Sequence, residues 1–339
     1  LDLEREVDLI EEVARSYGLN NIAKRDRIEL VVRPVQPARV ARNKLRDAMV
    51  SHGYHETMTF SFIAEKFGRP FLDKGSDAVI VDHDRCRGEP MLRPSLLPSL
   101  LACRKRNQDV GNANVKLFEL AGTWRREGGA IREGTRLALV ADVTEPGARD
   151  AAASLALRGL RGAVEEMIES VGGSGAPVKI TPAESSLHSH AGTIAVKGNT
   201  VGTLGVLSNE LTSLFDLQTP VVVAELDLES LLSLYPPAQK AEALAKFPAI
   251  ERDLSLVVSD DVSWADIEAN VKATEPAMLE SLAFVGSYRG KPIPAGQKSV
   301  TLRMIFREPT RTLRHEEVDP QVAAVVERVK TKLGAELRG

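Results

Sequence analysis

The stretch DLSLVVSDDVSWADIEANVKATEPAMLESLAFVGSYRGKPIPAGQKSVTLRMIFR, residues 253–307, decides the fold of the C-terminal part of the chain. Residues 253–258 carry the pattern of a strand. Ser263, with Asp266 three residues on, forms the start signal of a helix that runs to about Thr274. Residues 279–289 and 298–307 read as two strands joined by the Gly/Pro-rich loop 290–296. Downstream, residues 315–333 have helical spacing and residues 335–338 suit a short last strand. The order β-α-β-β-α-β predicts a ferredoxin-like unit at residues 246–339.

Working outward, Pro236-Pro237 and the Ala/Lys/Glu-rich residues up to 246 read as a linker. Before it, residues 25–238 alternate helix and strand patterns. Helices are expected at 38–53, at 95–108 (capped by Ser95, with Pro98 in the first turn) and at 155–171, ending on Gly172-Gly173. Strands are expected at 56–62, 79–81, 115–120, 137–143 and 221–226, and as a hairpin at 193–196 and 201–207 turning through Gly198-Asn199. This predicts an α+β domain with a mainly antiparallel sheet. Residues 3–17 form a helix with Leu9, Ile10, Val13, Ala14 and Tyr17 as its apolar stripe and Gly18 as its stop. So short a helix is not stable alone. It is expected to complete a domain at residues 1–24 whose beginning lies outside the chain, or to dock elsewhere. The chain opens on Leu1 and reads as a fragment.

Composition narrows the class. Hydrophobic residues make up 43% and charged residues 27% of 339 residues, with a net charge of −3, as in an ordinary globular protein. No apolar run approaches the length of a membrane span, and no signal peptide is visible, so no membrane partner is expected. Cys86 and Cys103 fit neither a zinc site nor a disulfide framework and read as free thiols in a reducing cytoplasm. The chain has no phosphate-binding GxxxxGKS loop, no GxGxxG, no HExxH and no nucleophile elbow. His188 and His190 would share a strand face if extended, a weak metal pair. No catalytic constellation is expected.

Two charged clusters remain. Asp8, Glu11 and Glu12 are neighbours on one helix face, and Asp2 joins them only if the chain is non-helical there. Hard carboxylate oxygens suit Mg²⁺, but spacing alone favours a solvated face paired with Arg5 and Arg15. The second cluster is basic: Arg289, Lys291, Lys298, Arg303, Arg307, Arg311 and Arg314, with Glu308 the only acid in that window. Such a surface can neutralise phosphates. Phe306 alternates in phase with Met304 and Leu302, which makes it core. Tyr288, at a strand end before a Gly loop, is the better candidate for stacking on an unpaired base.

Three separated stretches resemble one family. LDLEREVDLIEEVARSYGLNNI is similar to the end of the B5 domain of bacterial phenylalanyl-tRNA synthetase β subunits. LRPSLLPSLLACRKRNQ and VKLFELAGTW resemble that subunit's class II synthetase-like, non-catalytic core domain. KFPAIERDLSLVV, SYRGKPIPAGQKSVTLRMIF and RTLRHEEV resemble its ferredoxin-fold anticodon-binding domain. The resemblance implies Mg²⁺ at Asp2, Asp8, Glu11 and Glu12, shared with a catalytic α subunit that uses ATP, in an (αβ)2 assembly. It also implies contacts to tRNA(Phe) from Tyr288 with Ser299 nearby, and the basic residues Arg289, Lys291, Lys298, Arg303 and Arg311 add phosphate contacts. The family's editing domains precede the B5 helix, so this chain is expected neither to edit nor to aminoacylate. The rival readings are a free-standing RNA-binding scaffold and a metal-dependent enzyme using the acidic helix.

Overall fold

Residues 137–141 are all buried, which a strand achieves only when its sheet is covered on both faces. In the computed structural model they lie at the heart of the larger of two compact units, residues 1–239 and 240–339. The structure describes residues 3–81, 88–144, 149–174, 176–238 and 244–338; Asp2, His83 and Cys86 lie outside them. Cys103 is a free, partly buried thiol. Among the described residues no helix is long and apolar enough to cross a membrane.

The first unit begins with helix α1 (Glu6–Tyr17) and, after an exposed segment, α2 (Pro37–Ser51). Pro37 starts α2, where its missing N–H costs nothing. Ala41, Leu45 and Met49, four apart, form the buried stripe of α2. The chain continues through β1 (His55–Glu56), β2 (Phe62–Ile63), α3 (Glu65–Gly68), β3 (Val79–Ile80) and β4 (Met91–Leu92) to α4 (Leu97–Asp109). A long hairpin follows, β5 (Lys116–Glu127) and β6 (Ala130–Asp142), then α5 (Arg149–Gly172). β7 (Val178–Ala183), β8 (His188–Val196), β9 (Asn199–Leu207), α6 (Asn209–Leu214), β10 (Val221–Asp227) and α7 (Leu228–Leu232) complete it.

Seven strands join in the order β1-β5-β6-β10-β9-β8-β7. All neighbours are antiparallel except β1 and β5, which run parallel. Leu137, Leu139, Ala224 and Leu226 pack under α2 and α5. Ala138, Val140 and Val223 face the other way, against Leu97, Leu100 and Leu101 of α4 and Phe215. Each fully buried leucine contributes about 1.5–3 kcal/mol by leaving water. The sheet's edges are the two-residue β1 and the six-residue β7, which carries Pro182.

Local geometry departs from the sequence expectation at four places. Residues 56–62 are not one strand: only their ends pair, as β1 and β2. The hairpin turns through Lys197-Gly198, one residue earlier than expected, with φ 50° and 84°. A two-residue turn of this hand needs positive φ at both positions, so the glycine takes the second. Ser95 does not occupy the cap position of α4, which belongs to Leu96; its hydroxyl instead accepts the Leu97 N–H. An irregularity between His188 and His190 breaks the register, leaving His188 buried and His190 exposed, so the two rings do not share a face.

The second unit is the expected ferredoxin-like arrangement. β11 (Ile250–Ser259), α8 (Trp264–Lys272), β12 (Leu279–Tyr288), β13 (Gln297–Phe306), α9 (His315–Leu333) and β14 (Glu336–Leu337) follow in order. The strands align β12-β13-β11-β14, all antiparallel. Ser263 and Asp266 form the capping box read from the sequence. Leu254, Leu256, Leu302, Met304 and Phe306 pack against Ile267, Val271, Val318, Val325 and Val329 of the two helices. Both helices therefore cover one face, and the alternate strand residues form the other.

Candidate nucleic-acid interface and docking edge

The helix-free face of the second unit is a floor of small residues. Side chains alternate along a strand, so Tyr288, Ser299 and Val257 form one row across it, Gly286, Thr301 and Ser255 the next, and Ala283, Arg303 and Asp253 a third. Ser255 and Thr301 hydroxyls bond at 2.9 Å. Tyr288 is 50% exposed at the rim. Its hydroxyl donates to the Lys291 carbonyl at 3.0 Å. The turn passes beneath through Gly290, at φ +121°, where a Cβ would stand 3.2 Å from that hydroxyl oxygen. The ring is thus held at the rim by its own turn. Phe306 is fully buried, as its phase implied. Ser299 is only 3% exposed and lies in the floor directly across from Tyr288.

The basic residues are not unopposed. Asp260 takes Arg289 at 2.8 Å, and its carbonyl accepts from Lys298 at 2.7 Å. Asp253 takes Arg303 through two hydrogen bonds of 2.7 and 2.8 Å, with Glu251 3.4 Å away. Glu280 holds Arg307 and Glu317 holds Arg311. The Arg303 hydrogen bonds hold the Asp253 carboxyl below its usual range. The Arg311 side chain, then the Arg314 N–H, draw Glu317 down to about 2. These acids come from other strands and from α9, invisible to a count along the window. The second unit as a whole holds fifteen basic and fifteen acidic residues. Exposed ion pairs contribute little, so a phosphate can replace the carboxylates. Lys291 has no acidic partner among the described residues. Arg289 and Lys291 lie at the Tyr288 end and Arg303 lies mid-floor; Lys298 is at the same end but in phase with the buried Val300, on the helix side, and Arg311 follows the opposite end of β13.

On α1, the Asp8 carboxylate accepts the N–H groups of Arg5 and Glu4 and the Arg5 guanidinium, which together hold its pKa down. Glu12 pairs with Arg15. Glu11 is exposed. Among the described residues no three acidic, His or Cys side chains gather as a metal site. As they stand, Asp8, Glu11 and Glu12 do not fit a shared ion. The apolar stripe Leu9, Ile10, Val13 and Tyr17 is exposed.

A further feature lies along the β1 edge of the seven-stranded sheet. The Thr57 N–H donates to the Phe118 carbonyl at 2.8 Å. The Thr59 N–H and hydroxyl donate to the Glu119 carboxylate at 3.2 and 2.6 Å. Arg93 donates to the Thr59 hydroxyl at 2.7 Å, and its own backbone N–H donates to the Ser61 carbonyl at 3.0 Å. Odd residues are thereby tied inward, and the even ones turn out: Met58 is 96%, Phe60 85% and Phe62 42% exposed. Arg93 and Glu119 form a buried ion pair at 3.1 Å. A second joins Arg104 to Asp142. Partly buried Glu225 accepts the Leu96 N–H and the Ser95 hydroxyl, and desolvation raises its pKa. The sequence reading missed these groups. A glutamate in phase with the inward Leu117 in KLFELAG was the available signal.

A family model described as phenylalanyl tRNA synthetase beta chain CLM domain matches residues 26–228, and one described as ferredoxin-fold anticodon binding domain matches residues 245–338. The chain is 31% identical to the phenylalanine–tRNA ligase beta subunit of Syntrophotalea carbinolica over 99% of its own length and 43% of that protein. It is also 31% identical to the one of Geobacter sulfurreducens, over 100% and 43%. It therefore spans less than half the length of these relatives. A solved pyrrolysyl tRNA synthetase from Desulfitobacterium hafniense aligns with 60% of this chain and 69% of its own, at 17% identity and a TM-score of 0.47.

Proposed function

The chain belongs to the phenylalanyl-tRNA synthetase β-chain family, and we propose that it supports ATP-dependent attachment of phenylalanine to its tRNA by docking a catalytic α subunit and holding the tRNA anticodon stem-loop. The reading divides the chain into the end of a B5 domain at 1–24, a non-catalytic core at 25–238 and an anticodon-binding module at 246–339. One observation carries the RNA half: a half-exposed Tyr288 held at the rim of a helix-free sheet face by the Lys291 carbonyl, with Arg289 and Lys291 close to it in the chain. An aromatic on such a face stacks on an unpaired base, while cations position the backbone.

Docking is supported by the apolar edge of Met58, Phe60 and Phe62, displayed outward by inward ties on both sides. Apolar patches of this kind mark protein contacts, and a free-standing RNA-binding protein would have no use for one. In this reading ATP is used by the α subunit of an (αβ)2 assembly in the cytoplasm, and Mg²⁺ is shared between the two subunits. Asp8 and Glu12 would have to exchange Arg5 and Arg15 to ligate an ion, with Glu11 and Asp2 as further ligands.

The test is binding of a labelled tRNA(Phe) anticodon stem-loop to the full chain and to Tyr288→Ala. A clear loss of affinity in the variant supports the RNA reading. Equal affinity removes it. Sedimentation of the chain with purified α subunit, before and after Phe60→Asp, tests the docking half in the same way.

A further inference from the structure

The Arg93–Glu119 pair is a costly thing to bury. An ion pair in an apolar interior adds little over two well-packed apolar side chains, because both charges lose water. Here the bonds are directed at one target. Glu119 accepts both the N–H and the hydroxyl of Thr59, Arg93 donates to that same hydroxyl, and the Arg93 backbone N–H fixes Ser61. The remaining Arg93 Nε donates to the Gly122 carbonyl at 3.1 Å, anchoring the group to β5. The Thr59 hydroxyl gives its one proton to Glu119 and accepts from Arg93, so its rotamer is set from both sides.

We infer that Arg93, Glu119 and Thr59 are positioning residues that fix the pose of Met58 and Phe60, and so the fit of the partner subunit. The inference rests on the docking reading above. The segment between β1 and β2 has no continuous backbone ladder to hold it. Its shape comes from the Thr57 N–H, from Thr59 and from the Ser61 carbonyl. Of these the Thr59 hydroxyl is the one held by two buried charges. Releasing it frees residues 58–60 to sample other poses, and the partner then has to order them at its own expense.

The experiment compares Thr59→Val, Thr59→Ser and Phe60→Asp in the full chain. It measures affinity for purified cognate α subunit and amide hydrogen exchange. Valine keeps the shape and removes the hydroxyl; serine keeps the hydroxyl. The expected result is about tenfold weaker association for Thr59→Val, the scale of a lost hydrogen bond to a charged group. Exchange should quicken at residues 57–61 while protection of β6 and α5 is kept, and Thr59→Ser should behave as the parent chain. Association unchanged in Thr59→Val but lost in Phe60→Asp overturns the positioning role and leaves docking in place. Association unchanged in Phe60→Asp overturns the docking reading itself. Loss of protection throughout β6 and α5 in Thr59→Val, or a Thr59→Ser variant as weak as Thr59→Val, makes the hydroxyl a general structural element and overturns the inference.

Discussion

The hydroxyl of Tyr288 donates to the carbonyl of Lys291 at 3.0 Å, closing the turn over Gly290. Pinning the ring before RNA arrives lowers the ordering cost of stacking. Tyr288→Ala is expected to weaken anticodon stem-loop binding by about 1–3 kcal/mol, the range of one base–aromatic stack. Tyr288→Phe keeps the stack and loses the pin, so it should cost about 1 kcal/mol or less. Fluorescence anisotropy titration of the three proteins checks the order; equal losses for both variants would assign the effect to the hydroxyl alone.

Arg303 is expected to exchange Asp253 for an RNA phosphate. Arg303→Ala should reduce the slope of log affinity against log salt by about one. Asp253→Asn, which frees the guanidinium, should tighten RNA binding at low salt about two- to fivefold, the scale of an exposed ion pair. A salt series on both variants decides; an unaltered slope in Arg303→Ala excludes the contact.

His188 makes the first unit acid-sensitive. Burial holds its pKa down at about 4, below the usual 6.5. The unfolded chain therefore takes up the proton first. Stability is complete above about pH 6.5 and is lost as pH falls toward 4, by up to about 3 kcal/mol from this group. Urea unfolding of the chain and of His188→Leu at pH 7 and pH 4.5 measures it. The parent should lose more than the variant over that interval.

Glu225 acts in the opposite sense. Burial raises its pKa above the usual 4.5. The folded state thus holds the proton longer, and this group costs stability as pH rises from the unfolded value through the folded one. Glu225→Gln keeps an acceptor for the Leu96 N–H and the Ser95 hydroxyl. It should be neutral or stabilising by about 1 kcal/mol at pH 7 and show less benefit at pH 4. Thermal unfolding at the two values provides the comparison.

The four-stranded unit was readable because its alternation, capping box and glycine loop are local signals, each fixed by neighbours within a few residues. Helix α9 fell where its spacing placed it, and Phe306 was assigned to the core by phase with Met304 and Leu302. Charge was misread for the complementary reason. Asp253 lies fifty residues from Arg303 and becomes its partner only when β11 and β13 pair. The same holds for Thr59 and Glu119, sixty residues apart. Alternation in residues 56–62 was real, but isolated backbone bonds and side chains, not a continuous strand ladder, hold it. Ser299 stands across from Tyr288 in the paired strands, and its burial was not legible, since solvent access depends on cross-strand neighbours that a linear string does not show.

The edges of the seven-stranded sheet bear on the life of the unassembled chain. An open sheet invites a second sheet to extend it, and long flat rims are where such fusion starts. One rim here is a two-residue strand continued by a stretch with only isolated backbone bonds, and the other is interrupted by Pro182. In the docking reading, this sheet can therefore show apolar side chains at Met58 and Phe60 while offering only short or interrupted rims for strand addition.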